Sequence, residues 1–217
     1  MSFSEMAAQL RGEDTTVHRT TIDGVLRLEG ARYSDRRGEV EVPFADPAFR
    51  EAAGRGMFAV QQTILTRSRL GAVRGVHYTA TPPGTGKLVH CVAGQVLDIA
   101  VDLRTDSSTF GQWDAFEVSG DDTAALYIPV GVGHLWIALS DGATLHYLLS
   151  APYRAELERA VHPADPDLGL PLPPEAERLV SERDANAPTL REAAAAGLLP
   201  DRAASARAER ATESASR

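Results

Sequence analysis

The feature that most constrains the fold of this 217-residue chain is a succession of short segments that alternate apolar and polar residues. Gly, Pro, Asp and Ser separate these segments at intervals of about 8–12 residues, a spacing typical of strands in sandwiches and barrels. The segments are, in chain order, AVQQTILTRS, KLVHCVAG, QVLDIAVDL, WDAFEVSG, AALYIPVG, HLWIALSD and ATLHYLLS. A period of two residues indicates β-strands with one buried face. Many such strands with almost no helix predict an all-β sandwich or barrel.

Shorter segments on either side of this region complete the prediction. GVLRLEGARY and GEVEVPF also alternate and predict earlier strands. DPAFREAAGRG predicts one helical turn, capped at Asp46 and stopped by Gly54. RAELERAV and TLREAAAAGLLP predict two more short helices, and Gly197 and Pro200 end the second of them. The helices are therefore expected to be few and peripheral.

The domain organisation follows from length and composition. A chain of 217 residues suits one large domain with a substantial core. Residues 1–16 are polar and are expected to form a loose N-terminal extension, and residues 17–200 a single domain. Residues 201–217 are rich in Ala, Arg and Ser, and we expect them to form a disordered tail.

Charge and cysteine content restrict the partners and the compartment. The formal net charge is −8, so the broad cationic surface that nucleic acid requires is not expected. An anionic small molecule can still bind where a few arginines and lysines gather locally. The single cysteine, Cys91, cannot form a disulfide framework, and no apolar stretch reaches the ~18 residues of a membrane span. The N-terminus does not resemble a secretory signal, and we expect a cytoplasmic protein.

Three cationic or titratable side chains surround one turn, TPPGTG. His77 lies in RGVHY, Arg74 precedes it by three residues and Lys87 follows it by ten. On an otherwise apolar stretch these groups are expected to meet at one mouth of the barrel. Histidine suits a general base at neutral pH, arginine suits phosphate oxygens, and lysine suits a developing oxyanion.

A metal site is the alternative use of the histidines. The residues from Pro129 to His134 match the P-x-G-x-x-H pattern of the second cupin motif, but the earlier strands have no H-x-H and no glutamate. His77, His90 and His134 can in principle still form a three-histidine zinc site. The incomplete motif favours a histidine base without a metal.

Several motifs resemble the dTDP-4-dehydrorhamnose 3,5-epimerase family. They are VRGVHYTATPPGTGKLV, VDLRTDSSTFGQWD, YIPVGVGHLWIALSD, ADPDLGLPLP and SERDANAPTLREAAAAGLLP, in the family's order and spacing over about residues 20–200. The resemblance implies a cupin-type jelly roll that works as a homodimer without cofactor or metal. It also implies inversion of carbons next to the keto group of a dTDP-4-keto-6-deoxy sugar.

The resemblance assigns catalytic roles residue by residue. His77 resembles the base that removes the proton next to the ketone, and Asp184, in SERD, resembles the aspartate that orients it. Lys87 resembles the lysine that stabilises the enolate oxygen. Tyr147 resembles the acid that returns a proton to the opposite face.

The same comparison assigns the residues that bind the substrate. Arg74 resembles a diphosphate-binding arginine, and Arg37 a nucleotide-contacting arginine that reaches into the partner subunit's site. Gln62 is the glutamine of the family's Q-x-N-x-S run, and His134 and Tyr153 fall on positions that line the pocket.

Departures from the family pattern suggest an unusual substrate. Ile64 stands where the family has asparagine, and GHLW replaces AHGF, which puts Leu135 and Trp136 in the wall. These changes resemble the branch that makes antibiotic deoxysugars. The hypothesis is a dTDP-4-keto-2,6-dideoxy sugar, with or without a 3-amino group, inverted mainly at C-5. The alternatives are a non-catalytic cupin that binds a sugar nucleotide, a dTDP-sugar ketoisomerase and a metal-dependent dioxygenase.

Overall fold

The structure is a computed structural model that describes residues 14–174 and 178–213. Fourteen strands and four helices are defined in these residues. Strands β1 to β7 are Thr16–Arg19, Leu26–Glu29, Ala31–Asp35, Gly38–Val42, Gln62–Ser68, Ala72–Thr79 and Lys87–Ala93. Strands β8 to β14 are Gln95–Asp102, Trp113–Ser119, Ala124–Ile128, Val132–Ala138, Ala143–Leu149, Glu158–Ala160 and Leu179–Val180. Helices α1 to α4 are Asp46–Ala53, Glu182–Ala185, Leu190–Ala195 and Arg202–Ala211.

Two sheets form the body of the fold and confirm the all-β prediction. The first sheet has the strand order β1-β2-β10-β7-β12-β5. The second has the order β13-β6-β11-β8-β9, with β14 added beside β6. Apart from β14, which runs parallel to β6, neighbouring strands are antiparallel. Strands β3 and β4 pair only with each other within the described residues, as a separate hairpin.

The core has three layers because both sheets are covered on their outer faces. Inward side chains such as Val89, Ile128 and Val132 fill the space between the sheets. Phe49 of α1 packs on the outer face of the first sheet. Leu190 of α3 packs on the outer face of the second. Between the sheets this packing leaves a cavity whose lining includes several polar side chains.

Two of the predicted helices occur where expected. Helix α1 begins at Asp46, which is its first residue and not its cap, and it ends at Gly54, whose φ is 70°. Helix α3 has a capping box in which Thr189 and Glu192 satisfy each other's backbone amides. Gly197, with a φ of 65°, follows it. Polar residues at the helix starts and glycines at the helix ends were therefore sufficient to predict these two helices.

The prediction of a helix in RAELERAV is wrong. Residues 158–160 form strand β13, which pairs with β6, and Ala160 lies opposite His77. The edge of β6 offers unpaired backbone groups, and pairing with that edge outweighs a weak local helix preference.

The expected disordered tail is also corrected, because residues 202–211 form helix α4. Asp201 caps it by accepting a hydrogen bond from the Ala204 amide. Glu209 anchors it by accepting hydrogen bonds from the Arg55 guanidinium at 2.6 Å, the Val130 amide at 2.6 Å and the Tyr127 hydroxyl. The expected extension at residues 1–16 lies almost wholly outside the described residues, and the boundaries of the domain remain a prediction. No described helix has the length and apolar character needed to cross a bilayer.

The anchor of α4 predicts a large effect of one substitution. Glu209→Ala leaves the Val130 amide and the Tyr127 hydroxyl without their acceptor and removes the charge that pairs with Arg55, so we expect the free energy of unfolding to fall by about 3 kcal/mol. Urea denaturation measures it. Arg210→Ala, on the exposed side of the same helix, is the control and should change the stability little. Equal stabilities of the two variants would contradict the anchor.

Candidate active site

A cavity of about 220 Å³ opens between the two sheets. Six of the side chains predicted to form the site line it, namely Arg74, His77, Lys87, His134, Tyr147 and Tyr153. Its other lining residues are Ile64, Thr66, Thr79, Thr85, Trp136, Leu149, Ala151, Glu158 and Arg183. The cavity therefore combines an apolar wall with several titratable groups, as ligand sites commonly do.

His77 is held by a carboxylate from a distant part of the chain. Its Nε2 lies 2.7 Å from Oδ1 of Asp184, which is 3% exposed. Asp184 itself is fixed because its amide donates to the Ser181 side chain that caps α2. Burial by itself raises the pKa of Asp184. The hydrogen bond and the charge of His77 lower it by more, so the net pKa lies below its ordinary value. The carboxylate therefore stays ionised and can stabilise a histidine that takes up a proton.

Gly75, two residues before His77, allows strand β6 to approach strand β11 closely. A Cβ built on Gly75 would lie 2.6 Å from the Leu135 Cα and from the His134 carbonyl oxygen. Any larger residue would push β6 away from β11. This contact aligns the two strands so that His77 lies directly opposite His134.

Lys87 brings a positive charge to the inner end of the cavity. The side chain is 8% exposed, and its Nζ donates to the His77 carbonyl oxygen at 3.3 Å. Burial lowers the pKa of Lys87, whereas the charges of Glu158 and Asp98 raise it in part. A buried ammonium with so few partners is well placed to bind a substrate oxygen that gains negative charge.

Tyr147 lines the cavity from the same sheet as Lys87, across from His77. It lies on β12, opposite Ile64 on β5, whereas His77 lies on β6 of the second sheet. Burial, assisted by the charge of Asp98, raises the pKa of Tyr147 well above its ordinary value. The phenol therefore keeps its proton at neutral pH and can donate it from the wall opposite His77.

A second histidine–aspartate pair was missed in the sequence. His134 Nε2 hydrogen-bonds to Oδ1 of Asp98, and both side chains are about 3% exposed. Burial lowers the pKa of His134, Asp98 opposes that shift, and the charges of Lys87 and His77 add to it. Asp98 had one available signal, since it is a charged residue in the middle of the apolar strand QVLDIAVDL.

The remaining predicted residues lie at the rim or outside the cavity. Arg74 Nε donates to Ser68 Oγ at 2.9 Å, and its guanidinium lies 5.9 Å from the Trp136 ring. Tyr153 is half-exposed at the mouth, and its amide donates to Oε1 of Gln62 at 2.5 Å. Gln62 therefore contacts Tyr153 but does not line the cavity, although the sequence predicted it to bind the substrate.

Arg37 lies outside the cavity of its own chain. It follows strand β3 in the hairpin β3–β4, where it pairs with Asp35 at 2.5 Å, and its side chain is 74% exposed. Arg183 of α2, which sequence reasoning did not select, lines the cavity instead. Its only signal was its position immediately before Asp184.

The three-histidine metal site considered from the sequence does not assemble. His90 lies on the face of β7 opposite to Lys87, because successive side chains of a strand alternate. There its ring contacts His146 at 5.0 Å between centroids. Among the described residues, no cluster of three or more His, Cys, Asp or Glu side chains has the geometry to hold a metal ion.

Comparisons with known proteins identify the family of the chain. The family model of dTDP-4-dehydrorhamnose 3,5-epimerase matches residues 19–192. The chain is 42% identical to a dTDP-4-dehydro-6-deoxyglucose 3-epimerase of Streptomyces bikiniensis, over 85% of this chain and 93% of that protein. It is also 42% identical to a dTDP-4-dehydrorhamnose 3,5-epimerase of Mycolicibacterium smegmatis, over 85% and 90%.

Solved structures are similar over the same region. NovW, a 4-keto-6-deoxy sugar epimerase from the novobiocin gene cluster of Streptomyces spheroides, superposes with a TM-score of 0.85 at 39% identity, covering 89% of this chain and 96% of that one. ChmJ, a 3′-monoepimerase from Streptomyces bikiniensis in complex with dTDP-quinovose, gives 0.84 at 41% identity, covering 90% and 98%.

The buried pair predicts how His134 titrates. Asp98 favours protonated His134, so Asp98→Asn should lower the pKa of His134 further below its ordinary value. Histidine ¹⁵N NMR over a pH series measures it. Asp141→Asn, which alters a carboxylate bound to the Leu70 amide outside the cavity, should leave that pKa unchanged. A pKa of His134 that rises or stays constant in Asp98→Asn would rule out the pairing.

Proposed function

Because the chain belongs to the dTDP-4-dehydrorhamnose 3,5-epimerase family, we propose that its cavity epimerises a dTDP-4-keto-6-deoxy sugar at C-3, at C-5 or at both. The observation that carries this proposal is the placement of His77, paired with Asp184, and of Tyr147 on opposite sheets of one cavity that Lys87 also lines. An epimerase needs this arrangement, since it must remove a proton from one face of a carbon and add one to the other.

The reaction begins at the carbon next to the keto group. His77 takes the proton, and the electron pair of the C–H bond moves to the keto oxygen as the enolate forms. Ionised Asp184 stabilises the resulting imidazolium. General base catalysis of this kind contributes about 10²–10⁴-fold. The ketone itself acidifies the C–H bond, so the step calls for no cofactor.

Lys87 stabilises the enolate as it forms. Its ammonium is buried, so a developing negative charge meets a cation that little water screens. By analogy with oxyanion-hole donors, such a contact is worth roughly 3–4 kcal/mol of barrier. Tyr147 then gives its proton to the opposite face of the carbon, and the carbonyl re-forms with inverted configuration.

The substrate class is supported by the cavity wall. Ile64 and Leu149 line the cavity beside Tyr147, where a hydroxyl-rich sugar would need polar partners. This wall supports the hypothesis of a less hydroxylated sugar of the antibiotic branch, such as a 2,6-dideoxy sugar. The diphosphate is assigned to Arg74 at the rim. The preferred carbon remains a prediction, since the sequence hypothesis favours C-5 and one 42% identical relative is named a 3-epimerase.

The alternative functions differ in what they require of the cavity. A sugar-nucleotide-binding cupin without activity has no use for a base, an acid and an enolate cation in one cavity. A ketoisomerase would use the same base but would move the carbonyl to another carbon. The proposed epimerase keeps the carbonyl at C-4, and NMR of the product distinguishes the two reactions.

One exchange experiment tests the base and locates the carbon. The enzyme is incubated with dTDP-4-keto-6-deoxyglucose in D₂O, and NMR records deuterium at C-3 and C-5. His77→Ala should slow the exchange by about 10²–10⁴-fold, because the base is gone. His18→Ala, an exposed histidine far from the cavity lining, should exchange like the wild type. Equal exchange by His77→Ala and wild type would exclude His77 as the base, and deuterium at C-3 alone would overturn the C-5 preference.

We also propose that the active form is a homodimer in which Arg37 enters the partner subunit's cavity. The hairpin β3–β4 supports this, since it pairs with no other strand among the described residues and leaves Val40 40% exposed. Arg37 lies beside that strand with an exposed side chain. A cytoplasmic location is proposed with it, because a chain with one cysteine cannot form the internal disulfides that are common in oxidising compartments.

Complementation tests the shared site. Arg37→Ala and His77→Ala should each be impaired alone. When the two are co-expressed, the mixed dimer has one site with an intact His77 and an intact Arg37 from the partner. With random pairing, about a quarter of the wild-type activity should return. Co-purified mixed dimers without any recovered activity would show that Arg37 serves no partner site.

A further inference from the structure

Two polar groups in the cavity wall are buried without a hydrogen-bond partner. They are the hydroxyl of Thr66 and the indole N–H of Trp136. Trp136 is 1% exposed, and both side chains line the cavity. A buried donor without an acceptor destabilises the fold, so its retention in a wall calls for an explanation.

Both donors lie beside the hydroxyl of Tyr147. Thr66 pairs with Leu145 and Ile64 pairs with Tyr147, so Thr66 and Tyr147 are diagonal neighbours on the same face of β5 and β12. Trp136 approaches from β11 in the opposite sheet. Each donor lowers the pKa of Tyr147 and thereby opposes the larger effect of burial. Each donor is thus close enough to act on the Tyr147 oxygen, but neither has the geometry of a full hydrogen bond to the neutral phenol.

We propose that Thr66 and Trp136 are positioning residues that stabilise the phenolate of Tyr147 after it has given its proton to the sugar carbon. This inference rests on the proposed function, because it takes Tyr147 as the acid. It extends that function by assigning a role to the side chains that surround the acid.

The proton balance shows where the two donors act. The enolate electron pair forms a new C–H bond with the phenol proton, the O–H bond of Tyr147 breaks, and its electron pair stays on the phenolate oxygen. His77 holds the proton that it removed earlier. Exchange with water returns a proton to Tyr147 and removes one from His77 before the next turnover.

The effect is selective for the second half of the reaction. Hydrogen bonds to an ionised oxygen are about twice as strong as those to a neutral one. The donors therefore contribute little while Tyr147 is a phenol and much more once it becomes a phenolate. Interactions that strengthen only along the reaction accelerate it. Deprotonation by His77 takes place across the cavity and gains nothing from them.

The test is the ratio of net inversion to deuterium exchange in D₂O, with dTDP-4-keto-6-deoxyglucose as the probe. Trp136→Phe keeps an aromatic ring and removes the N–H, and Thr66→Val keeps the shape and removes the hydroxyl. Each should lower the ratio about tenfold while the exchange rate stays near that of wild type, since a hydrogen bond to an ionised group is lost. Tyr147→Phe marks the lower limit of the ratio.

Matched controls separate this role from general damage to the fold. Trp113→Phe removes the other indole N–H, which donates to the Leu168 carbonyl at 2.8 Å outside the cavity. Thr63→Val alters the exposed face of the same strand as Thr66. Both should keep the wild-type ratio. If Trp136→Phe fails to fold, Thr66→Val decides the question by itself.

A spectroscopic readout does not depend on turnover. The chain has two tryptophans, so a ¹⁵N-correlated spectrum contains two indole N–H signals, which the two Trp→Phe variants assign. Tyr147→Phe should shift the Trp136 signal and leave the Trp113 signal in place.

The possible results separate a failure of the donor role from a failure of the proposed function. Wild-type ratios in both Trp136→Phe and Thr66→Val, with an active wild-type enzyme, would overturn the role of the two donors and leave the epimerase intact. Absence of deuterium exchange in the wild type would instead refute the proposed function. A Trp136 signal that is unmoved by Tyr147→Phe would refute the contact itself.

Discussion

The hydrogen bond between His77 and Asp184 is the contact on which the rest of the site depends. It joins a central strand to a short helix 107 residues later in the chain. To form it, the chain must add β13 and β14 to the sheet and cap α2 with Ser181. The segment that follows β12 therefore adds strands to the second sheet and also supplies the carboxylate that holds His77.

Burial of charge is the second constraint, and it explains why the site has paired groups. An isolated buried ion is costly, so each is held by a partner of opposite sign or by hydrogen bonds. Asp184 pairs with His77, and Asp98 pairs with His134. The two histidines lie opposite each other on the adjacent strands β6 and β11. Lys87 donates to the His77 carbonyl at 3.3 Å, and its ammonium is suited to a further acceptor such as a substrate oxygen.

The two sheets contribute different side chains to the two walls of the cavity. The second sheet contributes both histidines and Asp98, helix α2 contributes Asp184, and the first sheet contributes the tyrosine and the lysine. A planar enolate bound between the sheets would expose one face to His77 and the other to Tyr147. In the proposed reaction, inversion would follow from the sandwich architecture, because the two sheets hold His77 and Tyr147 apart.

Sequence alone determined the strand pattern, helices α1 and α3, and the motif residues His77, Lys87 and Tyr147, because these depend on local periodicity or on short motifs. Only the tertiary structure decided that residues 158–160 form a strand and that the C-terminal segment is a helix. It likewise revealed the pairing of Asp98 with His134 and the unpaired N–H of Trp136. These features arise where strands distant in sequence meet, and a local pattern contains no information about which groups will face each other there.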